Sequence, residues 1–179
     1  MALLMLAPLA SFGWELNVSG ATVTPKWRGC TVRLPAGWHY DTAPRAVLAS
    51  YDGPLLNHIL VQLMPHKDAF KAIKKVSSAQ SLPEDLAESY VANLQAEGVM
   101  REVEILGTEP AALAGQQAFR LHLRYRLPEN SGSAVVEEIV LGTPTPKALL
   151  LVKYTAPALH FFAKSLPEFD EVAKSVTLQ

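Results

Sequence analysis

Residues 115–127 are the clearest period-two segment of the chain, with strict alternation of apolar and polar side chains from Phe119 to Leu127. Phe119, Leu121, Leu123, Tyr125 and Leu127 take one side; Arg120, His122, Arg124 and Arg126 take the other. Period two marks a strand with one buried face, so this stretch predicts the long strand of a sheet. Residues 128–133 (PENSGS) break the pattern with turn formers, and 135–141 returns as a partner strand. Matching apolar to apolar across that pair sets Leu121 beside Leu141, Leu123 beside Ile139 and Arg124 opposite Glu138. A slip of one residue would exchange Glu138 for Glu137. Residues 148–154 are apolar on both sides and predict a central strand.

Upstream, 30–34 alternates and stops at Pro35-Ala36-Gly37, and 103–106 is a short strand before Gly107. Residues 46–51 and 57–64 read as strands joined through Asp52-Gly53-Pro54; Ile59, Leu60, Val61 and Leu63 make the second apolar enough to lie centrally. Residues 67–76, with Lys67, Lys71, Lys74 and Lys75, fit a short helix or a connection.

Two helices have marked starts. Ser81-Leu82-Pro83-Glu84 reads as a capping box, with Pro83 tolerated where first-turn amides lack partners. Leu86, Tyr90 and Leu94 follow at four-residue spacing, and Gly98 ends the helix. The same four letters return at Ser165-Leu166-Pro167-Glu168, opening a helix with Phe169, Val172 and Val176 on one side. A separate helical piece over 157–164 is expected to break before Pro167. Strands joined by short loops, with helices between them, predict an α+β domain whose antiparallel sheet is flanked by helices.

Composition narrows the function classes. The chain has 179 residues, a single-domain length, with 49% hydrophobic and 18% charged residues. Sixteen basic against 17 acidic residues give a net charge of −1, which argues against nucleic-acid binding by bulk electrostatics. Cys30 is the only cysteine, so no intramolecular disulfide or thiolate cage forms. No apolar run reaches the ~20 residues of a membrane span.

Residues 1–10 (MALLMLAPLA) with Ser11-Phe12-Gly13 resemble the apolar core and cleavage zone of a secretory leader ending at Gly13. No Lys or Arg precedes Lys26, and Phe12 stands where a lipoprotein leader needs its acceptor cysteine. A mis-assigned start, or an apolar segment packed on the domain, fits the same residues. The expected organisation is therefore a leader remnant over 1–13, an extension over 14–29 and one domain over 30–179. Export would place the protein in the envelope or periplasm; otherwise it is cytoplasmic. Asn17-Val18-Ser19 has the glycosylation pattern, which also recurs by chance.

Catalytic patterns are scarce. There is no phosphate-binding Gly-rich loop, His-Glu-x-x-His, Cys-x-x-Cys or Gly-x-Ser-x-Gly string. His39, His58, His66, His122 and His160 sit on separate elements without metal-ligand spacing. Cys30, near Arg28 and Arg33, reads as a buried apolar residue. Glu137 and Glu138 face opposite sides of a strand and cannot form one acid/base dyad; Glu138 reads as the cross-strand partner of Arg124. Trp14, Trp27 and Trp38 read as packing residues. The row Arg120, His122, Arg124 and Arg126 is the candidate partner-binding surface, for an acidic protein, headgroups or a carboxylate; a salt-bridged solvated face gives the same pattern. No cofactor or metal site is expected.

The order of landmarks resembles the fold shared by PsbP and the Ran-binding protein Mog1, to which DcrB-like lipoproteins and type VI effector-associated chaperones are also similar. Thr31-Val32-Arg33-Leu34-Pro35-Ala36-Gly37-Trp38 is similar to the Leu-Pro-x-Gly-Trp turn after the first strand. A strand pair and a helix over 82–96 follow. Leu113-Ala114-Gly115-Gln116-Gln117-Ala118-Phe119-Arg120-Leu121 resembles the glycine turn into a long strand. Residues 150–157 (LLVKYTAP) then lead to Phe162, Phe169, Val172 and Ser175, like the closing aromatic helix. The resemblance covers about 30–179. It implies a Mog1/PsbP-like α/β/α sandwich with about six strands, in proteins that act as accessory, assembly or chaperone factors without catalysis.

The leading expectation is thus a non-enzymatic accessory protein of a bacterial cell envelope that binds another protein or a membrane-associated complex, touching a membrane at most peripherally. The alternative is a cytoplasmic chaperone resembling the type VI group, shielding apolar helices of a client. A third reading, an enzyme assembled around His122 and Glu138, requires a pocket that brings them together.

Overall fold

The computed structural model describes residues 14–24, 29–128 and 133–179. The leader reading over 1–13, together with Trp27 and Arg28, lies outside them. Ten strands and two helices carry the architecture, and an eleventh short strand closes it. They are β1 (Glu15–Leu16), β2 (Thr22–Val23), β3 (Cys30–Arg33), β4 (His39–Ala43), β5 (Ala46–Ser50) and β6 (His58–Pro65). After α1 (Pro83–Glu97) come β7 (Arg101–Leu113), β8 (Gln116–Arg126), β9 (Val135–Pro144) and β10 (Ala148–Pro157), then α2 (Phe161–Ser175) and β11 (Thr177–Leu178).

Eight strands form one antiparallel sheet in the order β1-β4-β5-β6-β10-β9-β8-β7, and β11-β3-β2 form a small second sheet. The main sheet is larger than the six strands expected. The polar β4 and the two-residue β1 account for the difference, and β7 is longer than the expected strand over 103–106. β7 continues through Gly107, which pairs with His122, because register shifts absorb Leu106 and a residue before Glu104 as bulges. β6 and β10 lie side by side at the centre, as their apolar runs predicted.

α1 covers one face. Leu86, Ala87 and Val91 pack there on Phe119, Leu121, Leu123, Tyr125, Val136, Val140, Leu149 and Leu151. α2 and the small sheet cover the other, where Phe162, Phe169 and Val172 meet Ile59, Ile139, Leu150, Val152 and Tyr154 with Val32, Leu34 and Trp38. The result is a layered α+β sandwich.

Three local expectations are corrected. The β8–β9 register is the slipped one: Leu121 pairs with Val140, His122 with Ile139, Leu123 with Glu138 and Arg124 with Glu137. β9 is buried on both faces, so apolar matching could not choose its face; Ile139 and Leu141 belong to the α2-side core. The observed register also lays the Phe119 ring over Gly142, where there is no side chain to meet it.

The capping box does not form either. Leu82 is the N-cap, in extended conformation, and the Ser81 hydroxyl accepts the Ser78 amide at 2.9 Å instead. Glu84 and Asp85 still place negative charge on the first turn, and Gly98 ends the helix in the left-handed region at φ 66°.

Residues 161–175 are one helix, not two pieces, with Pro167 inside it. Proline's φ is helical, so the chain continues at the loss of one hydrogen bond, roughly 3 kcal/mol in an isolated helix. Burial of Phe162, Phe169 and Val172 offsets it.

Candidate functional site

The row on β8 faces α2, beside the acidic edge strand β7. Arg120 Nη1 donates to Asp170 Oδ1 of α2 at 3.0 Å, and its Nε lies 3.4 Å from Glu109 Oε1 of β7. Its guanidinium sits 5.8 Å from the Phe169 ring centre. His122 Nε2 is 2.7 Å from Glu137 Oε2, and its ring stacks on Phe162 with centres 5.2 Å apart and planes 6° from parallel. Arg124 Nη2 donates to Glu137 Oε1 at 2.8 Å, with Glu104 at 3.8 Å. The hydrogen bond from Glu137 pushes the Arg124 guanidinium further up from its ordinary pKa. Arg126 pairs with Glu102 at 3.2 Å and donates to the Ser133 carbonyl at 3.1 Å.

Three guanidinium groups therefore face five carboxylates: Glu102, Glu104, Glu109, Glu137 and Asp170. The row is a salt-laced face, not a net basic patch. The signal for it was present in the sequence, since Glu102 and Glu104 alternate on the strand next to the row; only the pairing of the two strands was hidden. A cavity of about 310 Å³ lies at its upper part, lined by Gly107, Thr108, Glu109, Arg120, His122, Ile139 and Leu166.

Glu138 was expected beside Arg124 and is on the opposite face. It is 5% exposed and accepts the Tyr90 hydroxyl at 2.7 Å, the Tyr125 hydroxyl at 3.0 Å and the Thr155 hydroxyl at 2.9 Å. This cluster, drawn from α1, β8, β9 and β10, joins the helix to the sheet. Nothing in the spacing of those four residues announces it. Burial first, then the Glu138 charge, push the Tyr90 and Tyr125 hydroxyls well up from the ordinary tyrosine range.

His122 and Glu138 thus point to opposite faces, and the geometry does not assemble the acid/base site imagined around them. The other histidines go to separate places. His66 bridges the Ser77 hydroxyl and the Thr145 carbonyl at 2.7 and 2.9 Å. His58 contacts the Pro54 carbonyl at 2.9 Å, and its burial lowers its pKa. His39 and His160 are exposed. Among the described residues no group of three or more His, Cys, Asp and Glu side chains is placed to hold a metal. Cys30 is fully buried, and that burial pushes its thiol up to about 11.

A surface that the sequence did not single out lies at the end of the sheet where β5 turns into β6 and β10 leads to α2. Leu55 is 92% exposed and Leu159 is 86% exposed, with Tyr51 and Leu56 also on the surface. The two loops are neighbours because Thr155 of β10 pairs with His58 of β6. Side-chain bonds tie the first of them down. Lys164 bonds Asp52 at 2.9 Å and lies 5.4 Å from the Tyr51 ring centre. The Asn57 side-chain carbonyl accepts the Tyr51 and Asp52 amides, each at 3.1 Å. Arg126 reaches the same end, because Val135 pairs with it and accepts the Ala158 amide at 3.0 Å.

No family model matches the chain, and no curated protein does. Solved structures do match. The chain is similar to the cyanobacterial PsbP (CyanoP) of Synechocystis, at 12% identity and TM-score 0.58, over 97% of each chain. It is similar to a point mutant of the protein Mog1, at 12% identity and TM-score 0.58, over 88% of this chain and 95% of that one. LpqN of Mycobacterium tuberculosis, described as involved in cell envelope biogenesis, matches at 13% identity and TM-score 0.56, over 93% and 92%. At such identities the likeness is one of architecture alone. The chain has the Mog1/PsbP-like fold.

Proposed function

We propose that this protein is a non-enzymatic accessory or assembly factor of a bacterial cell envelope that works by binding another protein. The observation that carries this reading is the exposed apolar end of the sheet. Leu55 and Leu159 leave almost their whole side chains in water on two neighbouring loops, the first of which an ion pair to α2 and an asparagine tie down. Aliphatic groups grouped in this way are a liability in a protein without a partner, and they form the apolar centre of an interface in one with a partner. Arg124 and Arg126, already paired with glutamates, supply a polar rim on the α2 side. The architecture shared with LpqN, whose description concerns cell envelope biogenesis, supports the location.

The test is the intact mass and cellular fraction of the protein from its own host, together with a photo-crosslinking residue at Leu55. A mature chain starting near Trp14 in the envelope fraction, with one discrete adduct at Leu55 and none at Glu88 on α1, is expected. An uncut cytosolic chain overturns the envelope assignment. That outcome favours the second reading, a cytoplasmic chaperone for apolar client helices, which the same exposed leucines would serve.

A further inference from the structure

The row on β8 has a gap opposite it. Glu104 of β7 stands across from Arg124 and Glu109 across from Arg120, but Gly107 stands across from His122. The backbone does not require glycine there: Gly107 lies outside the left-handed region, and a Cβ would meet nothing nearer than His122 Cβ at 4.0 Å. What the missing side chain provides is room. The cavity of about 310 Å³ opens at this point, between the apolar Ile139 and Leu166 and the polar Glu109, Arg120 and His122. Its volume lies at the lower end of the range of small-ligand sites, about 300–1,000 Å³.

His122 is oriented before any ligand arrives. Its Nε2 lies 2.7 Å from Glu137 Oε2, and a carboxylate that also takes Arg124 can only accept, so Nε2 carries the hydrogen. In the neutral ring Nδ1 is then a bare acceptor. Among the described residues nothing donates to Nδ1 and no buried side-chain nitrogen or oxygen lacks a partner, so Nδ1 is reached by solvent. Phe162 holds the ring face, stacked with centres 5.2 Å apart. The charges beside the ring do not balance. Arg120 is shared by Asp170 and Glu109, at 3.0 and 3.4 Å, and Arg124 by Glu137 and Glu104, at 2.8 and 3.8 Å. Two guanidinium groups thus meet four carboxylates. An entering anion would have to displace one of these carboxylates, whereas an entering cation offsets their excess.

We propose that this cavity binds a primary ammonium group on a short hydrocarbon stem. The ammonium donates to His122 Nδ1 and to the Glu109 carboxylate, and the stem lies on Ile139 and Leu166. A bare acceptor beside a carboxylate selects a charged donor, and the apolar side of the cavity limits what may carry it. The site uses no residue of the leucine end, so it holds whether or not the accessory reading does.

The experiment is NMR titration of the full chain with butylammonium, butanol and butyrate at one pH and ionic strength. Butylammonium is expected to bind about fivefold more tightly than butanol, the gain from one partly screened ion pair. Its shifts should be confined to the amides around Gly107, His122 and Leu166, and butyrate should not bind there. Gly107→Val fills the gap with a residue that suits a strand, and should abolish binding of both amine and alcohol. His122→Phe keeps a ring against Phe162 and removes Nδ1, while Glu109→Gln alters a side chain that is 66% exposed. Each should weaken butylammonium severalfold and leave butanol unchanged. N-acetyl-lysine methylamide presents the same head group: tighter binding than butylammonium makes the source a lysine of a protein partner, weaker binding a free amine. No binding of butylammonium, binding no tighter than that of butanol or butyrate, or shifts outside the cavity would each overturn the proposal. A butylammonium affinity unchanged in both His122→Phe and Glu109→Gln would do the same.

Discussion

Glu137 and Glu138, adjacent in the chain, serve opposite faces of the sheet. Glu137 takes His122 and Arg124 at the α2 face; Glu138 takes three hydroxyls beneath α1. A strand's period of two separates them, and the difference in donors sets their roles. Glu138→Leu should be severely destabilising, by about 2–4 kcal/mol, because it leaves the Tyr90, Tyr125 and Thr155 hydroxyls without their acceptor. Glu138→Gln keeps one acceptor oxygen and should lose less. Urea unfolding followed by tryptophan fluorescence measures both. Equal losses would mean that size, not hydrogen bonding, governs the site.

Gly142 is needed for a different reason. A Cβ there would run into the Phe119 ring and stand 3.0 Å from Leu151 Cδ2. Gly142→Ala should therefore cost about 1–3 kcal/mol through overpacking, although its backbone conformation is one any residue adopts. The Phe119→Leu background should recover part of that loss. A double-mutant cycle of melting midpoints checks the pair, and strict additivity would count against the contact.

Much of the fold was legible in the sequence because period two survives wherever one face is wet. β8 shows it, and β10 shows its absence on both faces, so one was read as half-buried and the other as central. β9 was misread in register because both of its faces are buried, and the decisive features were a missing side chain at Gly142 and a charge at Glu138. The capping box failed because Ser81 had a nearer donor in Ser78. The row from Arg120 to Arg126 was found as a row, but its electrostatic meaning depended on Glu102, Glu104, Glu109 and Asp170, which reach it only through tertiary pairing. Leu55 and Leu159 were invisible as a pair for the same reason.

Cys30 gives a probe of native opening. Its side chain is fully buried on β3, and its thiol is pushed up to about 11, so at pH 8 it is protonated as well as inaccessible. An Ellman-type disulfide reagent should react with the native protein slowly and stoichiometrically with the unfolded one. The native rate should rise with urea in step with global unfolding. Fast labelling at pH 8 without denaturant would show that β3 separates from α2 and β11 on its own.

The tyrosines set the alkaline limit of stability. Burial first pushes up all three buried hydroxyls, Tyr154 to about 12, and the Glu138 charge adds to the rise at Tyr90 and Tyr125. In the unfolded chain each would ionise near 10, so above that pH the unfolded state holds fewer protons than the folded one. Linkage then makes unfolding easier as pH rises. The stability these groups contribute is intact below about pH 10 and declines from there through the folded-state value of about 12 at Tyr154. Absorbance at 295 nm should show these tyrosines ionising together with loss of the circular dichroism signal, not before it. Tyr125→Phe should make the alkaline decline shallower while lowering stability at pH 7, because it removes both the proton and the hydrogen bond to Glu138. A variant with an unchanged alkaline slope would mean that Tyr125 ionises freely in the folded protein.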